Sequence, residues 1–223
     1  MKKRIVSLLL AAALLTGAAS AAGEEGAAEQ PDLDLSAASA VLMEKETGAL
    51  LYEKESHQQL EPASVTKVMT LLLIMEDLDS GRLSKEDLVT VSAAAAGMGG
   101  SQVYLKEGEQ LSAGELIKCI AVVSGNDAAV AMAEHLAGSE AAFVERMNRR
   151  AQELGMKDTA FVNCTGLPAA GHHSSAYDIA LMSRELILHH PDIRTYTTIW
   201  MDSIRDGAFG LTNTNRLVRF YPG

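Results

Sequence analysis

Glu61-Pro62-Ala63-Ser64-Val65-Thr66-Lys67-Val68-Met69-Thr70-Leu71-Leu72-Leu73-Ile74-Met75 is the stretch that decides how this chain reads. From Val65 to Leu78 the residues are apolar almost all round, and Gly81 follows as a stop signal. That pattern predicts a buried central helix. Lys67 is the only charge between Ser64 and Met75. A lysine inside such a run needs a buried partner or a function. Three residues are nearly one helical turn, so Ser64 and Lys67 share a face. A serine hydroxyl is a weak nucleophile that needs a base. A lysine at the edge of an apolar core can be that base, because desolvation lowers its pKa. A serine at a helix start also leaves its backbone N–H free to polarise a carbonyl. The bland alternative is a capping serine followed by a solvent-facing lysine. Ser-x-x-Lys is common by chance, and it is the apolar context that favours a nucleophile with its base.

Downstream, Ser124-Gly125-Asn126 lies at a junction of two predicted helices. The first opens with the capping box Ser112-Ala113-Gly114-Glu115 and runs to about Val123; the second covers Asp127 to Leu136. The Ser124 hydroxyl can relay a proton to a leaving amine. The Asn126 carboxamide can accept from a lysine and donate to a substrate carbonyl. Against this, Ser124 and Asp127 also fit a capping box, with Gly125 as the turn. Alone, the tripeptide favours capping. With Ser64 and Lys67 upstream, it favours catalysis.

Towards the N-terminus, Ala40–Met43 and Ala49–Tyr52 are short apolar runs around Glu44-Lys45-Glu46-Thr47-Gly48, a hairpin signal. A lone hairpin is marginal in water and should belong to a larger sheet. Later strand candidates are Phe209–Asn213 and Leu217–Tyr221. Residues 22–36 read as a flexible acidic linker. Residues 1–21 read as a signal peptide: basic Lys2, Lys3 and Arg4, an apolar run from Ile5 to Leu15, and the small-x-small site Ala19-Ser20-Ala21. Cleavage there would remove three positive charges and no acid, taking the net charge from −10 to −13. Residues 37–223 would form the catalytic domain. Within it, Ser84 is expected to start a short acidic helix and Gly97–Gly108 to be a loop. Val144, Met147, Ala151 and Leu154 share one face of a helix that Gly155 ends. Asn163–Ser175 reads as loop, and Ala176–His189 as a helix stopped by Pro191.

Composition narrows the function classes. Nearly half the residues are apolar, few are aromatic, alanine is abundant, and glycine and proline are sparse, as in a helix-rich globular protein. A net charge of −10 argues against non-specific nucleic-acid binding. Two cysteines, Cys119 and Cys164, make no disulfide framework, and Cys119 reads as a small core residue. No Cys/His spacing suggests zinc, so no metal is expected. The pairs His172-His173 and His189-His190 read as loop or surface residues.

Taken together, Ser64-Val65-Thr66-Lys67 and Ser124-Gly125-Asn126 resemble the first two motifs of the penicillin-recognising serine enzymes. The closer resemblance is to the low-molecular-mass D-alanyl-D-alanine carboxypeptidases, the S11 peptidases, especially their sporulation-type members. It runs from about Ala38 to Gly223 and includes Asn163–Leu167, where Cys164 stands in place of the family's usual proline. The resemblance implies an α/β fold of the β-lactamase/transpeptidase type: an N-terminal hairpin of an antiparallel sheet beside a large helical cluster. It implies Ser64, Lys67 and Ser124 as catalytic residues, Asn126 as substrate-binding, and no cofactor. The substrates would be D-alanyl-D-alanine peptides of peptidoglycan, with β-lactams as acylating inhibitors, on the extracytoplasmic face of the envelope. Peripheral membrane association would run through a C-terminal region not present here. The family's third motif, Lys-Thr-Gly, does not follow Phe220-Tyr221-Pro222-Gly223. The resemblance therefore implies a partial sequence lacking the later strands and inactive as it stands. A class A β-lactamase would need a further glutamate, and Leu154–Leu181 contains none. A non-catalytic envelope penicillin- or peptide-binding protein is the other alternative.

Overall fold

The structure, a computed structural model, describes residues 33–221. The expected signal peptide and most of the expected linker lie outside the described residues.

The chain opens with strands β1 (Ala40–Met43) and β2 (Leu50–Lys54), paired antiparallel as the apolar runs predict. The turn between them is tied by the Glu44 carboxylate, which accepts from the Glu46 N–H at 3.0 Å and the Thr47 N–H at 2.6 Å. Those bonds, with the Thr47 hydroxyl, hold the Glu44 carboxyl down at about 2. Gly48 has φ +75°, the left-handed conformation that glycine adopts without strain. A 3-10 turn, Ala63–Thr66, leads into α1 (Lys67–Asp79). Strand β3 (Leu88–Thr90), the short helix α2 (Ala93–Ala96) and β4 (Gln110–Ser112) precede α3 (Ala113–Val123) and α4 (Asn126–Ala137). Helices α5 (Glu140–Glu153) and α6 (Ala176–His189) follow. Then come α7 (Arg194–Thr197), the hairpin β5 (Met201–Ile204) with β6 (Phe209–Thr212), and α8 (Leu217–Phe220).

Helix α1 is the axis of the molecule. Met69, Leu72, Ile74 and Met75 are wholly buried, and α3, α4, α5 and α6 all pack against it. Its apolar circumference follows from having neighbours on every side. Asp77, also buried, is ion-paired to Arg82 and Arg146. The strands form three separate two-stranded sheets. Among the described residues, β1–β2 meets no third strand, and Leu42 and Leu51 stay 54% and 53% exposed.

Three expectations fail. Ser84 starts a turn, not a helix: the Asp87 carboxylate accepts the Ser84 N–H at 2.8 Å, and the chain passes straight into β3. Leu217–Phe220 is helical rather than a strand. His172 and His190 are buried rather than on the surface. His190 Nδ1 is bonded to Asp79 at 2.5 Å.

Candidate active site

Ser64 sits in the 3-10 turn before α1 and is exposed, while Lys67, the first residue of α1, is only 3% exposed. Lys67 Nζ lies 3.2 Å from Ser64 Oγ and donates to the Thr165 carbonyl at 2.8 Å. Burial pulls the ammonium pKa down to about 8, partly countered by the nearby Cys164. About a tenth of the lysine is then neutral at pH 7. In the neutral form the Ser64 hydroxyl becomes the donor and Nζ the acceptor, the arrangement a general base requires. Among the described residues no acceptor takes the Ser64 backbone N–H, which leaves it free to serve a substrate oxygen.

The turn carrying Ser64 is held from below. Ala63 has φ +46°, a conformation that costs a residue with a Cβ roughly 1–3 kcal/mol and persists only where its surroundings impose it. The imposing neighbour is Gly166: a Cβ there would lie 1.7 Å from the Ala63 carbonyl oxygen and 2.9 Å from Thr66 Oγ1. Asn163 winds this segment into shape. Its Oδ1 accepts from the Gly166 N–H at 2.7 Å and the Thr165 N–H at 3.1 Å, and its Nδ2 donates to the Leu167 carbonyl at 2.8 Å. One turn along α1 from Lys67, Thr70 donates to the Cys164 carbonyl at 2.7 Å. Thr66 Oγ1 meets His172 Nε2 at 2.8 Å, and His172 Nδ1 accepts the Val162 N–H at 3.0 Å. The acceptor role at Nδ1 puts the ring proton on Nε2, and burial lowers the pKa of this histidine, which favours the neutral form.

Ser124 and Asn126 occupy the α3–α4 junction. Ser124 is left-handed, φ +58°, at the C-terminal end of α3. Asn126, the first residue of α4, donates its backbone N–H to the Ser101 carbonyl at 2.7 Å and its Nδ2 to the Gly99 carbonyl at 2.7 Å. Its Oδ1 is buried without a hydrogen-bond partner. Leu167 reaches the same spot: a Cβ on Gly100 would meet Asn126 Nδ2 at 2.7 Å and Leu167 Cδ2 at 3.6 Å. The segment that holds Lys67 therefore also approaches Asn126. Among the described residues no hydrogen bond joins Ser124 or Asn126 to Ser64 or Lys67. The capping alternative for Ser124 does not hold. Asp127 instead accepts the backbone N–H groups of Val103 at 3.0 Å and Leu105 at 3.0 Å, fastening the Gly97–Gly108 loop to the start of α4.

Sequence reasoning missed His172, Gly166 and the true task of Asp127. All three act across more than twenty residues of chain. Local spacing carries no sign of such contacts beyond the clustering of Asn163–Leu167. Glu76, Glu185 and His190 bring three ligand-type atoms together. However, Arg150 is ion-paired to both glutamates, at 2.7 and 2.5 Å, so their charge is already engaged. Cys119 and Cys164 are free, buried thiols, and burial raises the pKa of each, Cys119 to about 12. No helix among the described residues is long and apolar enough to cross a membrane.

Comparison with known proteins bears on this geometry. The D-alanyl-D-alanine carboxypeptidase family, Peptidase S11, matches residues 24–222. The chain is 50% identical over 226 residues to the D-alanyl-D-alanine carboxypeptidase DacF of Bacillus subtilis, covering all of this chain and 58% of that protein. It is 43% identical over 165 residues to DacD of Escherichia coli, covering 71% of this chain and 42% of the relative. The chain thus spans about half the length of these relatives. Among solved structures, penicillin binding protein 5 from Haemophilus influenzae superposes with a TM-score of 0.78 at 33% identity, over 82% of this chain and 53% of that one. Penicillin-Binding Protein D2 from Listeria monocytogenes, in its cefotaxime-bound form, gives 0.77 at 31% identity, over 87% and 78%. The helical cluster with its N-terminal hairpin is thus the penicillin-binding-protein fold.

Proposed function

Because the chain belongs to the D-alanyl-D-alanine carboxypeptidase family Peptidase S11, we propose that it carries the nucleophile half of a serine carboxypeptidase that removes the terminal D-alanine from peptidoglycan peptides. The observation that carries this reading is the buried Lys67 amine 3.2 Å from the exposed Ser64 hydroxyl, with its pKa lowered to about 8. Neutral Lys67 takes the Ser64 proton as Oγ attacks the carbonyl between the two D-alanines. The Ser64 N–H supports the developing oxyanion. Ser124 passes a proton to the leaving amine, and Asn126 orients the peptide through its carboxamide. Water then hydrolyses the ester, restoring Ser64. β-Lactams would enter the same path and stop at the ester. Residues 1–21 fit an export signal, which would put the protein on the extracytoplasmic side, where peptidoglycan lies.

The test is covalent labelling of the full-length protein with a penicillin, followed by peptide mass spectrometry. The adduct should fall on the peptide containing Ser64 and vanish in Ser64→Ala. An adduct on another peptide, or labelling that survives Ser64→Ala, would overturn the assignment. The same labelling separates a carboxypeptidase from a pure binding protein, which would hold the penicillin without an ester.

A further inference from the structure

We propose that the cleft beside the Ser64 turn is a subsite for a peptide residue bearing a primary amine at the end of an aliphatic side chain. That residue would lie on the acyl side of the bond being cut, and Glu61 would supply the recognising charge. This inference rests on the acyl-transfer reading of Ser64 and adds a substrate preference to it.

The cleft holds about 400 Å³ between Glu61 and the segment Pro168–His173. It continues as a narrow recess of about 70 Å³ bounded by Ala63, Gly166 and Leu167. Both parts share Glu61, so they form one groove that ends a single residue from the nucleophile. The walls at Pro168, Ala169, Ala170 and Gly171 are small and largely apolar, and would accommodate a methylene chain.

The charge in the groove is one-sided. Glu61 is its only carboxylate, and neither part is lined by lysine or arginine. His172 accepts the Val162 N–H at Nδ1 and has its pKa lowered by burial, so it adds no positive charge at neutral pH. His173 Nδ1 is committed to the Gly171 carbonyl at 2.9 Å. Glu61 is exposed and has no hydrogen-bond or ion-pair partner among the described residues. A substrate's terminal carboxylate would be repelled here, since recognition of a carboxylate calls for a cation or convergent N–H donors. The groove therefore suits the opposite end of the scissile bond. A flexible amine satisfies both features of the site, apolar walls near the nucleophile and a free acid at the mouth.

The experiment uses the full-length protein and two peptides: acetyl-L-Lys-D-Ala-D-Ala with the side-chain amine free, and the same peptide with that amine acetylated. Release of D-alanine should favour the free amine by roughly three- to fivefold in kcat/KM, the range expected of one exposed ion pair. Glu61→Gln should bring the ratio close to one by slowing only the free-amine peptide, and Glu61→Lys should invert it. Acylation by benzylpenicillin, which carries no amine, should be unchanged in both variants. A ratio that Glu61→Gln leaves intact, or an equal fall for both peptides, overturns the subsite while penicillin acylation still upholds Ser64. If the parent acylates with neither peptide nor penicillin, the acyl-transfer reading fails and the subsite fails with it.

Discussion

The two halves of the site are built to different degrees. On the Ser64 side every supporting group is engaged: Lys67 with Thr165, Thr66 with His172, Thr70 with Cys164, and Gly166 packed against the Ala63 carbonyl. On the Ser124 side a left-handed serine sits free of its neighbours, and Asn126 keeps a buried Oδ1 with no partner. An unmet buried acceptor costs about 1–3 kcal/mol, a cost that a donor on a bound peptide, or an amine moved towards it, would offset. The contrast teaches that the attacking group is assembled in advance, whereas the relay side is completed by what binds. Four substitutions test that division.

The largest effect should come from Lys67→Arg. Arginine keeps the charge but cannot give up its proton at working pH. Acylation by penicillin should fall roughly a thousandfold, within the range general base catalysis supplies, and nearly as far as in Lys67→Ala. In the parent the active form is the neutral amine. The acylation rate should therefore climb about tenfold per pH unit below pH 8 and level off above it, following the lowered lysine pKa. Lys67→Arg should flatten that profile. Acylation that stays fast in Lys67→Arg would make the lysine an electrostatic element rather than a base.

Next comes Gly166→Ala. A Cβ placed 1.7 Å from the Ala63 carbonyl oxygen cannot be accommodated without moving the nucleophile's own turn. The expected loss is about 4 kcal/mol or more, the size reserved for severe packing and backbone conflicts. Gly171→Ala is the matched control, since its φ is +85° but nothing lies within 4 Å of the added atom. It should cost only the left-handed penalty, about 1–2 kcal/mol. Urea melts of the two variants measure the difference, and equal losses would show that the close approach to Ala63 is not what matters.

On the relay side, Ser124→Ala should slow D-alanine release about a hundredfold, since proton relay acts in the transition state. The melting temperature should hardly move. Had Ser124 been a helix cap, its loss would cost about 1 kcal/mol with chemistry intact. Melts and turnover on the same sample separate the two outcomes.

Much of this architecture was legible in the sequence, and the reasons for success and failure are physical. The hairpin, the capping box at Ser112 and the helix from Ala176 to His189 were readable because each is encoded by neighbours a few residues apart. Ser64 and Lys67 were readable because a charge inside an apolar run is conspicuous. The failures were non-local or short. Strand β5 went unread because Met201-Asp202-Ser203-Ile204 buries only Ile204, and its pairing with β6 is set by register rather than pattern. Leu217–Phe220 is a short apolar run, which periodicity cannot assign to helix or strand. Ser84 to Asp87 resembled an acidic first helical turn, but the Asp87 side chain closes a turn instead. At the site, Ser124 with Asp127 matched a capping box in spacing alone; the carboxylate had a stronger use on the Val103 and Leu105 N–H groups.

His172 gives the smallest effect and the sharpest view of how the Ser64 half is supported. It joins two buried partners, the Thr66 hydroxyl inside the nucleophile's own turn and the Val162 N–H. His172→Ala leaves both unpaired and should lose about 2 kcal/mol, the cost of stranding buried polar groups. Penicillin acylation should fall about tenfold as the turn loosens, a fall equivalent to about 1.4 kcal/mol. Glutamine can offer an N–H and a carbonyl of similar reach, so His172→Gln should recover most of both losses. The pH response separates a hydrogen-bonding role from simple space filling. The folded-state pKa of His172 is lowered from the ordinary value of 6.5, so the unfolded chain binds more protons just below neutrality. Its contribution to stability is full above pH 6.5 and drains away as pH falls towards the lowered value. His172→Gln has no ring to protonate and should lose that part of the slope between pH 7.5 and 5. If the slope persists in His172→Gln, or if glutamine performs no better than alanine, then His172 fills space beneath Thr66 without positioning it.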